Sequence, residues 1–157
     1  DDGLSWSQRG VIAPADSNET APVVLPDGAV LAAVRTNGDG HIELYRSENH
    51  GATWAGCGPL SLPGQHPGHL LLLSDGRLLL SFGIRNRGHH AIAVRESEDG
   101  GLSWKGTQVL VELPDTTDLG YPASVQADDG TVITAYYTSA ATAHQRYHMG
   151  VLRWSLE

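Results

Sequence analysis

Cysteine is almost missing from this chain: Cys57 stands alone among 157 residues. A lone thiol excludes an internal disulfide, offers no cysteine pair to a metal, and leaves the redox compartment open. Basic residues are also scarce, with ten Lys and Arg against eighteen Asp and Glu, for a net charge of -8. Tracking a phosphate backbone needs clustered Lys and Arg, so no nucleic-acid partner is expected, and any anionic ligand must be held by positive charge gathered locally. Long apolar runs are lacking as well. Runs such as residues 70–73 and 78–80 are far short of the ~20 residues of a bilayer span, and no charged-then-apolar N-terminal stretch resembles a signal peptide. No membrane segment is expected, and both secreted and cytoplasmic locations stay open. No apolar stripe with helical period and caps occurs, so almost no helix is expected. The eight histidines include His66 and His69 around Pro67-Gly68, and the pair His89-His90. Pro and Gly forbid a helical metal-binding pair there, and adjacent strand residues face opposite ways, so neither a metal nor another cofactor is expected.

What is present is repetition. The tripeptides Pro26-Asp27-Gly28, Ser74-Asp75-Gly76 and Asp128-Asp129-Gly130 recur at spacings of 48 and 54 residues, and segments ending in Trp6, Trp54 and Trp104 recur at 48 and 50. Each Asp-Gly lies between apolar runs, the strongest short-range signal for a β-hairpin. A third strand follows at residues 41–46 and again at 91–95, ahead of the tryptophan marker. A four-stranded repeat of ~50 residues is the size of a propeller blade, whereas a β-sandwich would not require two markers to recur in phase. The fold expected is all-β: a single partial β-propeller domain over residues 1–157.

The tryptophan marker reads Ser97-Glu98-Asp99-Gly100-Gly101-Leu102-Ser103-Trp104 in its fullest copy, with related copies at residues 47–54 and 1–6. The pattern Ser-x-Asp-x-Gly-x-Ser/Thr-Trp resembles the Asp box of bacterial neuraminidase repeat proteins. Its physics is structural: a carboxylate accepts turn N–H groups, Gly supplies a positive φ, and Trp packs over the hairpin. Asp99 is therefore read as a turn residue, and Asn49 in the middle copy as its substitute.

Because the chain reverses at every turn, both markers lie on one face, and the starts of first strands and ends of second strands lie on the other. Glu19 is eight residues before Asp27 and Arg35 eight after, so the two should meet across the open end of that hairpin. Tyr121 holds the position of Glu19 in the third repeat, and Arg85 and Arg87 follow the second Asp-Gly turn. One rim thus collects a carboxylate, a phenol and two or three guanidinium groups, and His69 is a further candidate for its lining. Read as bare chemistry, each of these is also compatible with a solvated strand-end or loop residue.

The same segments resemble the sialidases over nearly the whole chain. The stretch from Glu19 through Pro26-Asp27-Gly28 to Arg35 is similar to the segment carrying the glutamate that activates the nucleophile and one arginine of a carboxylate-binding triad. Gly120-Tyr121-Pro122-Ala123-Ser124-Val125 is similar to the segment of the nucleophilic tyrosine. Ser81-Phe82-Gly83-Ile84-Arg85 resembles the stretch of another triad arginine, with Arg87 nearby. The resemblance implies an exo-acting glycoside hydrolase in which Glu19 is the base, Tyr121 the nucleophile, and Arg35 with Arg85 or Arg87 two carboxylate clamps for sialic acid or a related acidic sugar. A tyrosine suits an anionic anomeric centre that would repel a carboxylate nucleophile. Arginine suits the sugar carboxylate because its planar fork pairs bidentately and stays charged.

By the same resemblance, a first triad arginine and an acid/base aspartate belong to an N-terminal half that this sequence does not contain. About three four-stranded blades of a six-bladed sialidase-type ring are expected here. A lone fourth strand is expected at residues 7–12, and three strands without a fourth at 119–157. Such edges call for completion by other polypeptide. Two outcomes follow: the nucleophile half of a sialidase-like hydrolase, inactive by itself, or a non-catalytic carbohydrate-binding module closed by a homodimer exchanging strands.

Overall fold

The computed structural model describes residues 3–13, 15–114, 116–139 and 146–156. Among these residues there are eleven strands and no helix. The first sheet holds β1 (Ser17–Val24), β2 (Val30–Thr36), β3 (Ile42–Ser47) and β4 (Ala55–Pro59). The second holds β5 (Gln65–Leu72), β6 (Leu78–Asn86), β7 (His89–Ser97) and β8 (Gln108–Glu112), and the third holds β9 (Leu119–Gln126), β10 (Val132–Thr138) and β11 (His148–Trp154). Every neighbouring pair is antiparallel and sequential within its sheet. Strand β5 packs between β1 and β9, so the first strand of each sheet is the inner one and the three sheets are successive propeller blades.

The hairpins form where the Asp-Gly pairs stand. In each, the Asp carboxylate accepts the N–H two residues on: Ala29 to Asp27 at 3.0 Å, Arg77 to Asp75 at 3.0 Å and Thr131 to Asp129 at 3.1 Å. The glycine between them takes a positive φ, +87° at Gly28, a conformation open to glycine because it has no Cβ. The turns at 47–54 and 97–104 close in parallel ways. Asn49 Oδ1 and Asp99 Oδ1 each accept the N–H four residues on at 2.8 Å, and the indole N–H of Trp54 or Trp104 donates to the carbonyl of Gly51 or Gly101.

Between the blades lies the core. Strand β6 is buried on both faces over residues 78–84 because a sheet covers each side. Leu78, Leu80 and Phe82 pack with Leu31, Ile42 and Leu44 of the first blade. Leu79 joins Val94 and Val132, while Ile92 joins Leu119 and Tyr136, toward the third blade. Each fully buried side chain of this size contributes roughly 1.5–3 kcal/mol. On that second face one polar chain runs through the core: Ser81 Oγ lies 2.6 Å from Ser124 Oγ, which lies 2.9 Å from Thr134 Oγ1, which accepts the Trp154 indole N–H at 3.1 Å.

One expected strand does not form. Residues 7–12 carry no strand. Instead Gly10 lies so close to the turn of the first blade that a Cβ there would sit 2.4 Å from the Gly51 carbonyl oxygen. The third blade has its three strands between residues 119 and 154, as the repeat pattern requires.

Candidate functional site

Glu19, Arg35, Arg85 and Tyr121 come together at the end of the blades opposite the Asp-Gly turns. Glu19 and Arg35 end the β1–β2 ladder side by side, and Arg35 Nη1 donates to both carboxylate oxygens at 3.1 Å. The Tyr121 hydroxyl, from the third blade, donates to Glu19 Oε1. The Arg85 guanidinium lies against the Tyr121 ring, 5.6 Å from its centroid, a cation–π contact across blades two and three.

Local irregularities aim these groups. The β9–β10 register shifts opposite the step from Ala135 to Tyr137, and Tyr121 takes φ +48°, a left-handed conformation uncommon for a bulky residue. Gly120 beside it takes φ +113°, a conformation open to glycine, and lies against Arg85, whose Nη2 would be 3.4 Å from a Cβ there. The β1–β2 register likewise shifts between Ser17 and Thr20, next to Glu19. A bulge of this kind ends regular pairing and turns a side chain toward the rim.

Electrostatics divides the site into a satisfied and an unsatisfied part. Burial opposes ionisation of Glu19, but the Tyr121 hydroxyl and Arg35 outweigh it and hold the carboxyl below its ordinary value. The hydrogen bond to Glu19, then burial, pushes the Tyr121 phenol up, so the proton rests on the tyrosine. By contrast Nε of Arg35, Nε and Nη2 of Arg85, and Nδ1 of His66 are buried without a hydrogen-bond partner.

The remaining sequence candidates lie elsewhere. Arg87 is exposed in the turn after β6, and it is Arg85 whose guanidinium lies over the Tyr121 ring. His69 sits mid-strand opposite Ser81, and its Nδ1 accepts the Ser124 N–H at 3.3 Å. Two residues the pattern did not single out do belong. His66, in the bulge of β5, is electrostatically coupled to Arg35, Arg85 and Glu19. Asp118 accepts the hydroxyls of Tyr137, at 2.6 Å, and Tyr147, behind Tyr121. Burial, then that Asp118 contact, pushes Tyr137 up to about 12. His66 was findable: it stands nine residues before Asp75, beside the position that Glu19 and Tyr121 occupy in their repeats. Among the described residues no group of acids, histidines and cysteine converges to hold a metal.

The arrangement offers an anion two guanidinium groups, beside a phenol whose proton already points at a carboxylate. Comparisons with known proteins agree with the blades. A family model described as a BNR repeat-like domain matches residues 1–134. A solved protein of unknown function from Dyadobacter fermentans shares 30% identity at a TM-score of 0.81, over all of this chain and 44% of its own. The α-L-arabinanase of Penicillium chrysogenum, solved with arabinobiose, shares 18% at a TM-score of 0.72, over 92% of this chain and 47% of its own. The intramolecular trans-sialidase of Ruminococcus gnavus, solved with oseltamivir carboxylate, shares 15% at a TM-score of 0.57, over all of this chain and 39% of its own. The chain therefore spans less than half the length of each. At 18% and 15% identity the likeness is one of fold, a glycoside-hydrolase-like propeller. No curated protein matches.

Proposed function

The chain belongs to the BNR repeat-like domain family, and from that premise we propose that it carries the nucleophile side of a sialidase-like glycosidase site for an acidic sugar. The observation that carries this reading is the contact of Tyr121 with both Glu19 and Arg85. Arg85 presents a guanidinium whose Nε and Nη2 have no protein partner, and buried donors without partners are costly unless a ligand meets them. The sugar carboxylate pairs with Arg85 on the side that the Tyr121 ring leaves open. Arg35 serves chiefly to hold Glu19, with its Nε turned to the same anion.

In the reaction, the Tyr121 oxygen bonds to the anomeric carbon as its proton passes to Glu19, and the glycosidic C–O bond breaks. The leaving oxygen takes a proton from an acid assigned to the rest of the ring, and water later hydrolyses the tyrosyl–sugar bond. By itself the chain is expected to bind the sugar without cutting it. The test measures release of 4-methylumbelliferone from its α-sialoside by the chain alone and by the complete propeller, each with and without Tyr121→Phe. Turnover by the complete propeller that survives Tyr121→Phe removes the tyrosine from the mechanism.

A second reading rests on a different observation. Val125, Met149 and Val151 on the third blade are each more than half exposed, an apolar face suited to another blade. Two copies closing a six-bladed ring would cover it and leave the rim as a carbohydrate-binding surface. A clean monomer by mass in solution at tens of micromolar sinks this reading.

A further inference from the structure

The inner strands of all three blades depart from regular pairing at the same level. The register shifts between Ser17 and Thr20 in β1, between Gln65 and Gly68 in β5, and opposite the step from Ala135 to Tyr137 in β9. The first bulge adjoins Glu19 and the last adjoins Tyr121. In the middle blade the equivalent position is Pro67, and the polar side chain of that bulge is His66.

His66 is 8% exposed, and no protein group satisfies its Nδ1. Its ring is fixed from the side by Gly40, where a Cβ would come within 2.7 Å of Cδ2 and Nε2. Gly83 places the His66 backbone beside the site: a Cβ on Gly83 would lie 3.1 Å from the His66 carbonyl oxygen and 3.2 Å from Gly120 Cα, and one on Gly120 would lie 3.4 Å from Arg85 Nη2. Packing alone does not call for an imidazole here, because an apolar ring would fill the space without burying an unpartnered nitrogen. Burial, then the charges of Arg35 and Arg85, drive its pKa down to about 4. Near pH 7 the ring is therefore neutral, with one nitrogen to donate and one to accept.

We propose that His66 is a specificity-determining contact of the Tyr121 site, hydrogen-bonding a hydroxyl or amide of the same acidic sugar whose carboxylate pairs with Arg85. This rests on the acidic-sugar reading and narrows it. The site selects a carboxylate that carries a neighbouring polar group, because a group built to hydrogen-bond discriminates against ligands lacking the partner. A third cation in that place would hold any anion, whereas a neutral imidazole reads the polar neighbour.

The experiment is an NMR titration of the full chain at pH 7 with two probes: 2,3-didehydro-2-deoxy-N-acetylneuraminic acid and acetate. His66→Phe keeps the ring and removes both nitrogens, His66→Asn restores a polar atom near the place of Nδ1, and Arg85→Met removes the cation. His66→Phe is expected to weaken the sugar acid about tenfold, with His66→Asn recovering most of that loss and acetate binding alike in the parent and both His66 variants. Arg85→Met is expected to lose both probes. Sugar binding unchanged in His66→Phe overturns the role of His66 and leaves the acidic-sugar reading standing. Equal loss of both probes in His66→Phe, or no recovery in His66→Asn, assigns His66 to packing and also overturns the proposal. A parent chain that binds no sugar acid overturns both readings. Thermal melting checks each variant, and His66→Leu carries the same expectation should His66→Phe unfold.

Discussion

Arg35 Nη1 reaches both carboxylate oxygens of Glu19 at 3.1 Å, and that same carboxylate accepts the hydroxyl of Tyr121 from two blades away. Three residues spread over 103 positions of chain thus share one carboxylate.

Glu19→Gln should therefore change the tyrosine more than the fold. The phenol of Tyr121 is pushed up first by its hydrogen bond to Glu19, so removing the negative charge lets it ionise at lower pH. The ultraviolet phenolate titration should lose one high-pH component and gain one nearer the ordinary value of 10.0. Tyr121→Phe identifies that component by deleting it. An unchanged titration in Glu19→Gln would contradict the contact.

Asp99 should make the second blade acid-sensitive. The Ser103 hydroxyl and N–H, then Ser97, stabilise its carboxylate and bring its pKa to about 2 from an ordinary 3.8. A carboxyl depressed in the folded state contributes stability that is present above pH 3.8 and is lost as pH falls through about 2. Asp99→Asn, which reproduces Asn49 of the first blade, should melt closer to the parent at pH 2.5 than at pH 7. Asp99→Ala should be the less stable of the two variants at pH 7, for it also loses the acceptor that receives the Ser103 N–H. Parallel pH profiles in parent and Asp99→Asn would refute this.

Thr134 is fully buried and joins Ser124 to the Trp154 indole. Thr134→Val preserves shape but leaves both neighbours short of a partner, and should cost about 1–3 kcal/mol in denaturant unfolding. Adding Ser124→Ala should cost less than the sum of the single changes, because the two hydroxyls satisfy each other. Strict additivity would show that the hydroxyl chain is not a unit.

Gly150 lies under Tyr136, where a Cβ would come within 2.1 Å of the ring. Gly150→Ala should displace Tyr136 from its place beside Ile92 and Leu119 and destabilise the third blade by about 1–3 kcal/mol. Tyr136→Leu in the same chain should recover part of that loss, measured by thermal melting.

The blades were legible because their signals are local and repeated. Asp27, Asp75 and Asp129 bind the backbone two residues away, so each hairpin carries its own instructions in the sequence. Counting outward from those turns also brought Glu19 opposite Arg35 and set Tyr121 in the matching place. In the middle blade the same offset falls on Pro67, and the buried polar side chain of that bulge is its neighbour His66, because a bulge shifts the register by an amount that periodicity does not encode. His69, two residues beyond Pro67, pairs into the ladder and faces Ser124 instead. Arg85 and Arg87 differ for a similar reason: β6 runs through Asn86, so Arg85 ends within the sheet and Arg87 falls in the turn. Residues 7–12, expected as a strand, carry none, for whether a segment pairs into a sheet is settled by its neighbours in space.

By itself the sequence determined the all-β class, the three-fold repeat, the turn residues and the presence of a carboxylate, a phenol and guanidinium groups near one rim. Short-range hydrogen bonds and period-two burial are properties of a few adjacent residues, and they survive without knowledge of neighbours. Only the tertiary structure decided that Tyr121 reaches Glu19, that Arg85 lies against the phenol, and that His66 Nδ1 is buried without a partner. Those relations depend on how three sheets pack side by side and where their inner strands bulge, and no single repeat contains that information.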